Sequence, residues 1–381
     1  MQFPIDKFQH LRTPFYYYDT ALLDQTLNAI RQQLLPNYHV HYAIKACTHP
    51  EVLRHIQEAG LGADCVSGGE IEVCLRAGFP AGKIAFAGVG KSDWEIELAL
   101  QADIFCFNVE SIPELEVINQ LAKKHGKVAR VAFRINPNVG AHTHEYTTTG
   151  RAENKFGIAM EDMVGTIQRC QAMPNVECIG LHFHIGSQIL DMEDFSTLCL
   201  RINELQEVLE SYRIVLPHIN VGGGLGIDYE DPDAHPLPNL EAYFSTFKRY
   251  LQLRPGQQLH FELGRAVVGQ CGSLISRVLY VKQGAVKQFV IIDAGMTDLI
   301  RPALYGASHK IQNLSSQEGS EVYDVVGPIC ESSDVFAKDC PLPLTTRGHL
   351  IALRSAGAYG QIMASQYNCR TLPLGYTSES L

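Results

Sequence analysis

Eight apolar, β-prone runs punctuate the first 270 residues, at 39–46, 63–66, 84–89, 104–109, 129–135, 176–184, 218–221 and 259–263. Each but the last is followed by a segment with helical spacing, at 50–59, 69–77, 94–102, 113–125, 160–173, 195–212 and 240–251. In the segment 195–212, for example, Ile202, Leu205, Val208, Leu209 and Tyr212 fall on one face. Strict alternation of strand and helix predicts a parallel sheet. Eight repeats predict a closed (β/α)8 barrel, with a helix over 21–35 closing the ring. An open doubly wound sheet is the alternative. From about Cys271 the pattern changes to β-rich runs with few helical stretches. The chain therefore divides into a barrel over 21–270 and a mostly-β domain over 271–381. The Tyr-rich run Thr13–Asp19 reads as a strand and extends that second domain to residues 1–20, because termini often lie close together.

Composition removes several classes of function. A formal net charge of −10 disfavours nucleic acid and anionic membrane surfaces as partners. No apolar run approaches the ~18 residues of a membrane-spanning helix, and the first residues do not read as a secretion signal. The 11 cysteines are scattered without a Cys-x-x-Cys pair, which predicts reduced thiols in a cytoplasm.

In such a barrel the chemistry sits at the C-terminal ends of the strands. Alternation puts His41, Ala43 and Lys45 on one face of the first strand, with Lys45 at its mouth. There a lysine can be partly desolvated, its pKa can fall, and its amine can attack a carbonyl. The second strand brings Asp64, and the sixth ends at His184 and Ser187. The seventh runs into Gly222, Gly223 and Gly224, and the eighth ends at Glu262, Leu263, Gly264 and Arg265. Glycine turns after strands seven and eight are where barrels commonly bind a phosphate. A phosphate cradle, an amine, a carboxylate and an imidazole around one mouth suit pyridoxal phosphate. In that arrangement the carboxylate keeps the pyridine nitrogen protonated.

Three other patterns lead nowhere. Gly90-Lys91-Ser92 resembles the end of a phosphate-binding loop, but Ala85 stands where its first glycine must be. Gly222–Ile227 fails the dinucleotide fingerprint at Ile227. His182 and His184 share a strand face, but no third residue has metal-ligand spacing, so no metal is expected.

An ordered set of motifs spans nearly the whole chain: Tyr42-Ala43-Ile44-Lys45-Ala46, Gly62-Ala63-Asp64, Ser67-Gly68-Gly69-Glu70, Asn154-Lys155-Phe156-Gly157 and His184-Ile185-Gly186-Ser187-Gln188. It continues with the glycine triplet, Glu262-Leu263-Gly264-Arg265, Asp293-Ala294-Gly295-Met296, Arg301-Pro302-Ala303-Leu304-Tyr305, Cys330-Glu331-Ser332-Ser333-Asp334 and Gly357-Ala358-Tyr359-Gly360. In these the chain resembles the alanine-racemase-fold pyridoxal-phosphate enzymes, and within them the diaminopimelate decarboxylases. The resemblance implies a (β/α)8 barrel beside a Greek-key or β-barrel-like domain. It implies decarboxylation of meso-2,6-diaminopimelate to L-lysine, the last step of lysine biosynthesis by that route. It implies that Lys45 carries the cofactor and that His184 stacks on its ring. Ser187, Gly222, Gly223, Gly224, Gly264 and Arg265 would surround its phosphate, Glu262 would pair with its ring nitrogen, and Asp64, Leu263 and Tyr359 would complete its surroundings. Arg265, Arg301, Tyr305, Glu331 and Tyr359 would hold substrate, and Cys330 would supply the proton that replaces carbon dioxide. The Cys330 segment would come from a second subunit, giving a homodimer with shared sites. Decarboxylases of ornithine, arginine or carboxynorspermidine are alternatives, as is a cofactor-binding protein without turnover. Many members of the family have proline where Leu263 stands, and residues 369–381 do not follow the family pattern, leaving the last strand unplaced.

Overall fold

A computed structural model describes residues 2–140 and 155–381. Most of the long loop after the fifth barrel strand, residues 141–154 with Asn154 of the motif above, lies outside the described residues.

After strand β1 (Phe15–Tyr18) come the barrel strands β2 (Tyr38–Ala43), β3 (Gly62–Cys65), β4 (Ile84–Phe86), β5 (Cys106–Val109) and β6 (Ala129–Asn136). A two-residue strand β7 (Ile158–Ala159) pairs only with β6, and β8 (Val176–His182), β9 (His218–Asn220) and β10 (Gln258–Leu263) complete the set. Leaving β7 aside, every neighbouring pair in the ring is parallel, β10 pairs with β2, and β5 pairs with β6, so the sheet closes. The eightfold alternation in the sequence is thus a barrel and not an open sheet. The helix Thr20–Gln33 packs beside Leu240–Tyr250 on the outside, as a ring-closing helix must.

The second domain is built from β11 (Gly272–Gln283), β12 (Gln288–Ile292), β13 (Ile311–Asn313), β14 (Glu321–Val326), β15 (Val335–Leu342), β16 (Leu350–Leu353) and β17 (Leu374–Thr377). Their order is β13-β16-β11-β12-β14-β15, with β1 antiparallel to β11 and parallel to β17. The register of β11 against β12 shifts between Val278 and Tyr280, the irregularity at which a strand bends. The last strand, which the sequence pattern left unplaced, is β17.

The lumen of the barrel is unlike the usual filling of branched aliphatic side chains. β5 and β10 are four strands apart in either direction around the ring. A contact between their side chains therefore crosses the interior, and Asn108 of β5 donates to Glu262 of β10 at 3.1 Å. Below this level Ala85, Cys106, Ala132 and Ile179 form a small cluster of their own. Below that, His41, His260 and His218 form a chain. His41 Nδ1 lies 3.1 Å from the Lys83 carbonyl, which can only accept, so that nitrogen carries the hydrogen. In neutral rings the order then follows: His260 donates to His41 at 2.9 Å and His218 donates to His260 at 2.9 Å. Gly62 leaves room for this chain, because a Cβ there would sit 2.6 Å from His41 Nδ1 and 2.5 Å from the Lys83 carbonyl.

Burial keeps these imidazoles neutral, lowering His41 to about 4 and also depressing His218 and His260. An unfolded histidine takes up its proton near pH 6.5. The folded pKa is the lower one, so the stabilisation is complete above 6.5 and is lost as pH falls toward 4. Between pH 7.5 and pH 5 His41 alone removes about 2 kcal/mol. Denaturant midpoints should therefore fall across that interval, and fall less steeply in His41→Asn. Equal slopes in the two proteins would show that His41 titrates freely in the folded state.

Candidate active site

Strand β2 ends at Ala43, two residues earlier than the alternation predicts, and Lys45 sits on a one-turn 3-10 helix, Ile44–Ala46. The turn lifts the amine off the strand and into a cavity of about 480 Å³ at the C-terminal mouth of the barrel. β8 likewise ends at His182, and His184 lies on the loop beyond it. Twelve residues expected from the sequence line the same cavity: Lys45, Asp64, His184, Ser187, Gly224, Glu262, Leu263, Gly264, Arg265, Arg301, Tyr305 and Tyr359. Gly222 and Gly223 stand just behind the wall. Gly223 N–H donates to His184 Nδ1 at 3.2 Å, and Gly222 N–H donates to the Asn220 side chain at 2.9 Å. Cys330 and Glu331 are not in the cavity of a single chain. Both are exposed, Glu331 accepts from Tyr367 Oη at 2.6 Å, and Cys330 N–H donates to Asn368 at 3.4 Å.

Glu262 is buried yet ionised. Burial opposes its charge, but its pairing with His182 holds it well below its ordinary value. Its Oε1 accepts from Asn108 at 3.1 Å and Asn220 at 2.8 Å, and its Oε2 pairs with His182 Nε2 at 2.9 Å. A carboxylate offers about four acceptor positions, so one remains, on Oε2. Asn108, Asn220 and the role of His182 escaped the sequence reading. Their signal was polar residues at inward positions of otherwise buried strands. Arg134, also missed, lines the cavity, pairs with buried Glu110 at 2.8 Å and stacks over Phe156 at 4.5 Å.

The Lys45 pKa differs from expectation. Burial works to lower it, but Asp64, Tyr359, Glu262 and Glu70 outweigh burial and the amine sits above its ordinary value. The mouth of this barrel is acidic around the lysine, which sequence spacing does not reveal. His184 is the opposite case: burial, then Arg134 and Lys45, depress it strongly, so the ring is neutral.

These residues fit pyridoxal phosphate. The last acceptor position on Glu262 suits a protonated ring nitrogen, and neutral His184 suits a ring face. Arg265 and Arg301 are buried, and no acidic group among the described residues pairs with either. Each also keeps an Nε without a partner. Buried unneutralised cations call for anions, and a phosphate and a carboxylate would supply two. Lys45 offers the amine.

Close packing of the β9 and β10 exits sets the site. A Cβ on Gly223 would fall 1.9 Å from the Glu262 carbonyl, a backbone atom that cannot swing aside. Gly223→Ala should destabilise the chain by about 1–3 kcal/mol, the usual scale of overpacking, and weaken cofactor retention on dialysis. An unchanged melting temperature with full retention would show that the turn yields freely.

Comparison with known proteins agrees with this geometry. The family model for pyridoxal-dependent decarboxylases, pyridoxal binding domain, matches residues 21–269. Diaminopimelate decarboxylase of Bacteroides thetaiotaomicron is 67% identical over 381 residues, covering 100% of this chain and 99% of that protein. Its counterpart from Neisseria meningitidis serogroup B is 43% identical over 360 residues, covering 94% of this chain and 86% of the relative. The crystal structure of diaminopimelate decarboxylase from Helicobacter pylori complexed with L-lysine matches with a TM-score of 0.92 at 39% identity, covering 98% of this chain and 93% of that one. With its lysine, carboxylate and glycine turns around one barrel mouth, the chain belongs to the pyridoxal-dependent decarboxylases and, among them, to the diaminopimelate decarboxylase family.

Proposed function

We propose that the protein decarboxylates meso-2,6-diaminopimelate to L-lysine and carbon dioxide with pyridoxal phosphate, closing lysine biosynthesis by that route. The observation that carries the reading is the pair of buried, acid-free arginines in the cavity that holds Lys45. Ornithine has one carboxylate, whereas diaminopimelate keeps a second at its far end.

Bound pyridoxal phosphate supplies an electron sink for the pair of electrons left when carbon dioxide departs. Lys45 would hold the cofactor and exchange places with the substrate amine. Glu262, kept anionic by its three partners, would keep the proton on the ring nitrogen. Neutral His184 would cover a ring face, with Asp64, Leu263 and Tyr359 around it. Ser187, the glycine turns and Arg265 would take the phosphate, and Arg265 with Arg301, Tyr305 and Tyr359 the substrate. Cys330 would return a proton to carbon, and Glu331 would face the far ammonium. In one chain both are exposed and outside the cavity, which supports a homodimer in which a second copy supplies them. Leu304, Ile362 and Tyr367 are also exposed. We place the domain boundary at residue 270, with 1–20 joining 271–381, on the pairing of β1 with β11 and β17. The 11 cysteines are all free thiols, which supports a reducing, cytoplasmic location.

Carbon dioxide release from meso-diaminopimelate, L-lysine and L-ornithine, measured side by side, tests the assignment. Removing a desolvated charge partner costs about 2–5 kcal/mol, so Arg301→Ala should lower kcat/KM on diaminopimelate by ~30-fold or more. Ornithine or lysine turned over as efficiently as diaminopimelate would sink the substrate assignment.

The shared site has its own test. Lys45→Ala and Cys330→Ala subunits, each inactive alone, should regain partial activity when mixed, because one site of the mixed dimer is intact. No recovery despite demonstrated subunit exchange would mean that each site is built from one chain.

A further inference from the structure

Of the three guanidinium groups that line the cavity, Arg134 is paired with Glu110, while Arg265 and Arg301 are held by neutral acceptors. Arg265 Nη1 donates to Tyr229 Oη at 2.5 Å, and its Nη2 donates to Ser187 Oγ at 2.9 Å. Arg301 Nη1 donates to His309 Nε2 at 2.8 Å. The Tyr229 ring lies against both cations, 4.8 Å from the Arg301 carbon and 5.8 Å from the Arg265 carbon. The His309 ring meets Tyr229 edge-on at 5.1 Å. Aromatic faces attract cations, so this one ring attracts both.

His309 is fixed as an acceptor. Its Nδ1 lies 2.8 Å from the Arg354 carbonyl, which can only accept, so Nδ1 carries the hydrogen. Burial, with the Arg301 charge, lowers its pKa to about 3, so the ring is neutral and Nε2 presents a lone pair to Arg301. The support behind this contact is continuous. Arg354 donates to Gln312 at 2.8 Å and pairs with Asp233 at 2.8 Å. Asp233 lies four residues beyond Tyr229 on the loop after β9, where Asp228 Oδ1 accepts from the backbone of Glu230 and Asp231. The loop carrying Tyr229 is thereby strapped to the β domain that carries His309 and Arg301.

We propose that Tyr229 and His309 are positioning residues: the Tyr229 hydroxyl holds Arg265 beside Ser187, and His309 Nε2 holds Arg301, so that both forks are set before substrate arrives. Arg265 then serves phosphate and substrate together, and Arg301 serves the far carboxylate of the substrate. A substrate that lacks the second carboxylate leaves Arg301 unneutralised. Selectivity for a long amino acid with a carboxylate at each end then depends on two residues that donate nothing to it. This inference rests on the diaminopimelate reading.

Steady-state kinetics of the holoenzyme test it. Tyr229→Leu and His309→Leu should each raise KM for meso-diaminopimelate by ~10-fold or more while kcat stays within about threefold, the pattern of lost uniform binding. His309→Gln, which can still accept from Arg301, should restore KM to within about threefold of wild type, since the acceptor and not the ring is what Arg301 needs. Pimelate, a seven-carbon dicarboxylate without amines, should lose potency as a competitive inhibitor in the two leucine variants. The visible absorbance of bound cofactor should be unchanged in all three. Wild-type KM and pimelate inhibition in both leucine variants would overturn the proposal. So would an equal loss of kcat, KM and melting temperature that His309→Gln does not relieve, which marks a purely structural role. A wild-type enzyme that binds cofactor but does not turn over diaminopimelate would instead remove the reading beneath it.

Discussion

A carboxylate held in the axis of a barrel is the constraint from which the rest follows. Glu262 is only 7% exposed and remains ionised. An isolated charge there would neutralise itself by taking a proton. It does not, because Asn108, Asn220 and His182 reach it from three other strands. Of these, β5 lies opposite β10, so the lumen has to be open enough for the Asn108 and Glu262 side chains to span it. Ala85 and Ala132 leave that room, and Gly62 admits the histidines below. The barrel has exchanged a dense aliphatic filling for a polar column, and the column is what gives one carboxylate a fixed direction.

The column needs a counterpart at the mouth, and the β domain provides it. Tyr359 N–H donates to the Ala46 carbonyl at 2.9 Å, on the turn that carries Lys45. Tyr359 adopts this contact with φ at 56°, a left-handed conformation unusual for a bulky residue. Such strain persists where surrounding structure over-determines it. Here the contact fixes the lysine turn from above while β2 fixes it from below. A Cβ on Gly264 would come within 3.2 Å of the Tyr359 hydroxyl and 3.1 Å of Ala43, so the exits of β2 and β10 and the β domain meet at one point. Neither domain alone forms the cavity.

The sequence made the barrel legible because strand and helix periods differ and repeat eight times. It also made most of the cavity lining legible, because strand exits are where such barrels place chemistry. The expected strand ends ran long at Lys45 and His184, since an apolar run does not announce the residue at which hydrogen bonding to the neighbour stops. The pKa of Lys45 could not be read from position alone, because its direction is decided by carboxylates on other strands. Asn108 and Asn220 are polar residues within short runs, and nothing local tells an asparagine that spans a lumen from one at a strand end. Tyr229 and His309 lie 80 residues apart in different domains, so their meeting is purely a tertiary fact. β17 was hidden for a related reason: its four residues pair with β1 at the far end of the chain, and its run is too short to carry a pattern.

The formal net charge of −10 and the cationic cavity are not in conflict. At physiological ionic strength exposed charges are screened beyond about 8 Å, so the acidic surface has little influence inside a recess lined by Arg134, Arg265 and Arg301, all buried. Diaminopimelate carries two ammonium and two carboxylate groups and is neutral as a whole, so long-range attraction could contribute little to its capture. Recognition has to come from short-range pairs of both signs, set at the spacing of its two ends. Within one chain the cavity supplies the positive partners, and Glu331, the negative partner proposed for the far ammonium, is exposed outside it. On the proposed reading a single subunit would read one half of the far end, and the proposed second copy would bring the other half. On the proposed homodimer, assembly and substrate selectivity would be the same requirement, because the site proposed to distinguish diaminopimelate from shorter diamino acids would be complete only where two chains meet.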